Sequence, residues 1–175
     1  GVATDSLDLT VGTGCGQVGY PGGPFELTGR LEAENYDEGG EGVAYHDLDV
    51  SNNGGQYRLG EGVDIESCTD NGGGYNVGWI APGEWLEYSL DVPIGGQYDI
   101  EIRTASQDGG GFFHLEFAGE DLTGNISVPG TGGWQNWQTQ TVTVDLEAGP
   151  QVMRFVSGGG GFNLNHFIFT RDVVA

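Results

Sequence analysis

The chain has 175 residues, with 26 acidic against five basic side chains for a net charge of −21, and 35 of its residues are glycine. Charge of this sign repels phosphate backbones and anionic lipid surfaces, which excludes nucleic-acid and membrane-surface partners and leaves cations or neutral ligands. No run of about 18 apolar residues is present to span a bilayer, the length suits one domain with a sizeable core, and four Trp, seven Tyr and eight Phe set in alternating segments mark the glycines as turns of a folded domain rather than disorder.

From Gly1 to Gly29, Gly, Thr and Pro recur with no sustained period, which reads as a linker or N-terminal extension. The chain opens without a basic and apolar leader, so a signal peptide has been removed or this is a fragment of a longer protein, the reading favoured here. Cys15 lies in this extension, and its one intrachain partner is Cys68. In an oxidising compartment a bridge would close a loop of about fifty residues and contribute about 4 kcal/mol; in a reducing one the two are separate thiols.

Residues 30–175 form the expected module. Short segments with period-2 alternation follow one another between Gly-rich turns: Leu31 to Tyr36, Tyr75 to Ile80, Glu84 to Val92, Gln97 to Ala105, Phe112 to Ala118, Asn125 to Val128, Thr139 to Leu146, Gln151 to Ser157 and Asn163 to Thr170. No stretch sustains a helical period. The expectation is an all-β domain, a jelly-roll β-sandwich of two antiparallel sheets.

Alternation also assigns faces. Along residues 84–92, Leu86, Tyr88, Leu90 and Val92 point to the core, and Trp85, Glu87, Ser89 and Asp91 point away. Residues 112–117 bury Phe113, Leu115 and Phe117 and expose Phe112, His114 and Glu116, so Trp85 and Glu116 can share a surface. An outward Trp beside acids suggests a flat ligand. Trp134 follows Gly130-Thr131-Gly132-Gly133 and is placed on an exposed loop, Trp137 is placed in the core, and the pattern around Trp79 leans toward the core. Planar aromatics next to acids and amides suit sugars: the C–H face of a pyranose stacks on the ring while carboxylate and amide groups meet its hydroxyls.

Glu32-Ala33-Glu34, read as a strand, projects two carboxylates to one face. Like charges at that spacing repel unless a cation lies between them, and hard oxygen ligands select Ca²⁺; without one they are a solvated edge.

Leu31-Glu32-Ala33-Glu34-Asn35-Tyr36, Gly54-Gly55-Gln56-Tyr57-Arg58, Gly62-Val63-Asp64-Ile65-Glu66, Gly74-Tyr75-Asn76-Val77-Gly78-Trp79-Ile80, Gly83-Glu84-Trp85-Leu86-Glu87-Tyr88, Gly132-Gly133-Trp134-Gln135-Asn136-Trp137 and Phe162-Asn163-Leu164-Asn165 occur in order. Together they resemble carbohydrate-binding module family 6 over roughly Arg30 to Arg171. The resemblance implies a non-catalytic jelly-roll module that targets an appended glycoside hydrolase, secreted to the extracellular space, to a polysaccharide. The parent catalytic domain would lie in the same chain and the module would be a monomer.

By the same resemblance, Trp79 and Trp134 sandwich a sugar ring while Asn163 and Glu66 bind its hydroxyls, which moves Trp79 from core to site. Trp85 and Glu116 match a second cleft used by some members. Glu32, Glu34 and Asn165 match the ligands of a structural calcium that pins the terminal strands. The chain departs from the family pattern in its N-terminal extension, in Cys15 and Cys68, in Trp79 where many members have Tyr, and in His166 where a larger aromatic is common. The preferred ligands are chain ends of β-1,3-glucan or agarose.

Two other readings are weighed beside this one. A small glycoside hydrolase needs only two carboxylates about 5–10 Å apart, but no acid here sits in a catalytic motif and His46, His114 and His166 lack metal-ligand spacing. A calcium-dependent adhesion domain would share Glu32 and Glu34 without needing an aromatic cleft.

Overall fold

The computed structural model describes residues 16–172. Twelve strands build two antiparallel sheets: β1 Arg30–Glu32, β2 Tyr45–His46, β3 Ile65–Ser67, β4 Tyr75–Val77, β5 Trp85–Val92, β6 Gly96–Ala105, β7 Phe112–Phe117, β8 Glu120–Asp121, β9 Ile126–Ser127, β10 Trp137–Leu146, β11 Gly149–Gly159 and β12 Asn163–Arg171. The first sheet runs β10-β6-β12-β4-β3, with β1 also on β12; the second runs β2-β5-β11-β7-β8, with β9 also on β7. The fold is the expected all-β sandwich.

Alternating side chains fill the space between the sheets. Ile100, Ile102, Leu164 and Phe167 come from the first, and Leu86, Tyr88, Leu90, Phe113, Leu115 and Phe155 from the second, all buried. Tyr88 meets Phe167 edge-on across the interior at 5.7 Å, and its hydroxyl donates to the Ala33 carbonyl at 2.8 Å. The faces read for residues 84–92 and 112–117 match the observed burial, because each strand has one face on the core and one face out, except that Glu87 on the outer face is buried by Gln17 and Arg154.

Two expectations about local structure change. The strand expected over Leu31 to Tyr36 ends at Glu32, and a 3-10 turn over Ala33–Asn35 follows. Glu32 and Glu34 therefore do not share a strand face: Glu32 is partly exposed and Glu34 is buried. The extension also departs from a linker in its described part. Phe25 N–H donates to the Ser89 carbonyl at 2.8 Å and the Phe25 carbonyl accepts from Asp91 N–H at 2.9 Å, while Leu27 enters the core. Gln17 Nε2 donates to Asp37 Oδ2 at 2.8 Å and to Glu87 Oε2 at 2.7 Å, holding two acids together from within the strap. Phe25 thus covers the edge of β5 around Leu90, while Asp37 and Ala44 take the backbone of Glu87. Cys15, and with it the expected bridge to Cys68, lies outside the described residues.

Candidate functional site

Glu66, Trp79, Trp134 and Asn163, far apart in sequence, line one cleft of about 410 Å³ together with Ile80, Gly161 and Phe162. Each arrives for a local reason. On the β3–β4 hairpin Ile65 and Val77 pair and face the core, so the paired Glu66 and Asn76 face the other way. β4 stops at Val77, and Trp79 takes a positive φ of 49° that breaks the strand period and turns its ring outward. This corrects the lean of Trp79 toward the core, since the residue is 54% exposed.

Trp134 is 49% exposed, as the preceding glycines suggested. Its loop is anchored where Thr131 N–H donates to the Ser106 carbonyl at 2.8 Å and Asn163 Nδ2 donates to the Trp134 carbonyl at 2.8 Å. Asn163 opens β12 directly after the buried Phe162. Trp137 enters β10 half-buried rather than sealed in the core.

Amides that the sequence reading left without a role hold the cleft floor. Glu66 Oε1 accepts from Asn163 Nδ2 at 2.8 Å, from Gln135 Nε2 at 3.0 Å and from Asn76 Nδ2 at 3.3 Å. Gln135 Nε2 also donates to Asn76 Oδ1 at 2.9 Å, and its own Oε1 accepts from Thr69 N–H at 2.9 Å. Gln135 and Asn76 both lie in quoted motifs, next to Trp134 and two residues before Gly78. Their position beside the assigned residues was the available signal.

On the outer face of the second sheet, Trp85 and Glu116 do share a surface, with β11 between them. Arg154 pairs in register with both Glu87 and Glu116, and Trp85 with Val156, which pairs with His114. The Arg154 guanidinium lies 4.5 Å from the centre of the Trp85 ring and is bound to Glu87 through Nε at 2.7 Å. One face of Trp85 is therefore occupied from within the protein.

Residues 53–171 match the family model described as Carbohydrate binding module (family 6). The chain belongs to carbohydrate-binding module family 6. Among curated relatives, the clotting factor G alpha subunit of Tachypleus tridentatus is 37% identical over 111 residues, covering 62% of this chain and 16% of that protein. The beta-agarase AgaA of Microbulbifer thermotolerans is 31% identical over 94 residues, covering 53% of this chain and 20% of that protein. The chain thus spans a fifth or less of these two relatives.

Solved structures agree. The module CBM6cm-2 of Cellvibrio mixtus lichenase 5A, in complex with cellotriose, superposes with a TM-score of 0.64 at 35% identity, over 83% of this chain and 98% of that one. The C-terminal module of the marine laminarinase LamC from Zobellia galactanivorans gives 0.65 at 37% identity, over 81% and 98%. A β-1,3-glucan binding module from Bacillus halodurans gives 0.63 at 29%, over 85% and 99%.

The family 6 module is a carbohydrate-binding domain related to modules carried by glycoside hydrolases. Its calcium ligands by resemblance can be tested against the atoms present. Glu34 Oε2 and Asn165 Oδ1 are buried with no hydrogen-bond partner among the described residues. Burial, reinforced by the neighbouring Glu32 charge, pushes the Glu34 carboxyl up to about 8. Glu32 Oε1 is held by Arg30 Nε at 2.7 Å. Asn165 sits where the β12–β6 register slips and turns its Nδ2 to Asp70 Oδ2 at 3.0 Å, leaving its oxygen free. Two unpartnered buried oxygens, one a carboxylate's and one an amide's, are of the type a hard cation takes. The sequence reading missed a second acidic grouping, Asp47, Asp49 and Asp64, whose carboxylate oxygens lie within 4.8 Å of one another. Asn53 Nδ2 donates to Asp49 at 2.7 Å and to Asp64 at 3.1 Å.

Proposed function

We propose that this module binds a polysaccharide in the cleft between Trp79 and Trp134, with β-1,3-glucan or agarose chain ends as the ligands, and targets an appended secreted glycoside hydrolase to that substrate. The observation that carries the reading is the convergence of two half-exposed indoles, a carboxylate and a buried amide on one cleft of about 410 Å³. A pyranose offers such a cleft an apolar C–H face for the rings and hydroxyls for Glu66 and Asn163. The ligand choice is supported by the β-1,3-glucan binding module and the beta-agarase among the similar proteins. A small hydrolase or an adhesion domain is not favoured, since the family is one of binding modules.

In this reading the module is a monomer and does no chemistry of its own. A structural calcium is held by Glu32, Glu34 and Asn165, where it supplies the positive charge that the buried Glu34 carboxylate otherwise lacks. The proposal does not extend to Trp85 and Glu116, because Arg154 already occupies one face of Trp85.

Titration with laminari- and agaro-oligosaccharides is expected to change tryptophan emission, and long incubation with the polysaccharides is expected to release no reducing ends. Unchanged emission with every sugar would overturn the binding reading, and new reducing ends would restore the hydrolase.

A further inference from the structure

The orientation of every amide on the cleft floor is forced. Thr69 N–H can only donate, so the Gln135 atom facing it at 2.9 Å is the oxygen, and the Gln135 NH₂ must face Glu66 and Asn76. Asn76 then turns its oxygen to Gln135 and its NH₂ to Glu66 and the Val77 carbonyl. Asn163 lies between two acceptors, Glu66 Oε1 and the Trp134 carbonyl, both at 2.8 Å, so its NH₂ is spent on them. All three amide donors are thereby committed inside the protein.

Besides the uncharged indole N–H groups of Trp79 and Trp134, which donate to no described residue, what remains for a ligand is Glu66 Oε2 and Asn163 Oδ1. Neither accepts a hydrogen bond from any described residue, and neither is among the sealed, unpartnered atoms. Asn163 is 97% buried by residue area, so its free oxygen is fixed rather than swinging in solvent. Gly78 keeps that oxygen open: a Cβ at position 78 would come within 3.0 Å of it.

We infer that the polar floor of the cleft leaves a ligand only two acceptors, Glu66 Oε2 and Asn163 Oδ1, one of them a carboxylate oxygen, and therefore selects a neutral sugar ring that presents two hydroxyl donors while refusing uronic-acid and sulfated units. Such a ring satisfies both oxygens. An anionic unit brings charge against Glu66 with no cationic side chain among the cleft residues to compensate, and the surrounding net charge of −21 adds to the cost. Gln135 is the positioning residue of this device, since it links the Thr69 backbone to Glu66. The inference rests on the carbohydrate reading above and adds which sugar units the cleft turns away.

The test is calorimetric titration of laminari-, cello- and agaro-oligosaccharides, each beside its C6-carboxylate derivative, against the native module and Glu66→Gln. The native module is expected to bind the neutral member at least tenfold more tightly. In Glu66→Gln the three floor donors hold the amide oxygen, which turns the NH₂ toward the ligand and converts an acceptor into a donor. That isosteric change is expected to cut the neutral-to-anionic ratio by about tenfold. Gln135→Ala, which removes one of the three donors that hold Glu66 Oε1 and the brace on Asn76 Oδ1, is expected to lower the same ratio, whereas a purely structural role would weaken both ligands equally. A native ratio below threefold, or a ratio unmoved by Glu66→Gln, overturns the inference while leaving sugar binding intact. Binding of neither member of any pair overturns the carbohydrate reading itself.

Discussion

Trp134 is held by its backbone and left bare on its ring, the arrangement a stacking platform requires. Trp134→Ala removes that face and should cost about 2 kcal/mol of binding, a roughly 30-fold weaker Kd in calorimetric titration with a bound oligosaccharide. Gly78→Ala should weaken binding too, since its methyl group would press on Asn163 Oδ1 at 3.0 Å while leaving the core untouched. Residue by residue, legibility followed the backbone. Trp134 was readable because glycines before it announce a loop. Trp79 was not readable from alternation, because its left-handed φ lies beyond the end of β4 where period-2 reasoning stops. Gln135 carried no signal of its own, since its role depends on Thr69 and Glu66, 66 and 69 residues away along the chain.

Among the elements, the short turn after β1 concentrates the electrostatics. A Glu34 carboxyl raised from 4.5 to about 8 binds more protons folded than unfolded between those values, so its contribution is present at low pH and is lost as pH rises toward 8. Asp47, raised to about 7 by burial, acts in the same direction. With chelator present, Tm should fall between pH 5 and pH 8. Calcium should restore it at pH 8, and Glu34→Gln should remove the calcium response; a calcium response that survives in Glu34→Gln would strike Glu34 from the ligands.

The N-terminal strap is the second element with a measurable share. Leu27 is nearly sealed in the core, so Leu27→Ala should destabilise by about 2–4 kcal/mol in denaturant unfolding, although residues 1–29 read as linker by composition. Long strands such as β5 and β7 were legible because each alternates between core and outside. β2, β3 and β8, of two or three residues, are too short to show a period, and a strap held mainly by backbone bonds shows none either.

Across the whole molecule, the sandwich brings β3, β4, β12 and the loop before β10 together, and that meeting point makes a cleft out of four distant residues. No single segment of the sequence contains it; the order of seven motifs was what made it visible. The same molecule carries −21 charges, whose mutual repulsion is screened by salt. Tm should therefore rise when NaCl is taken from 0.01 to 0.5 M in chelator, and an unchanged midpoint would show that the acids repel one another too weakly to matter. The four tryptophans give the cleft its most direct test, because each contributes its own indole N–H signal to an NMR spectrum. On titration with a laminari- or agaro-oligosaccharide, the signals of Trp79 and Trp134 should shift together while that of Trp85 stays in place; movement of Trp85 with Trp79 and Trp134 unmoved would contradict the account.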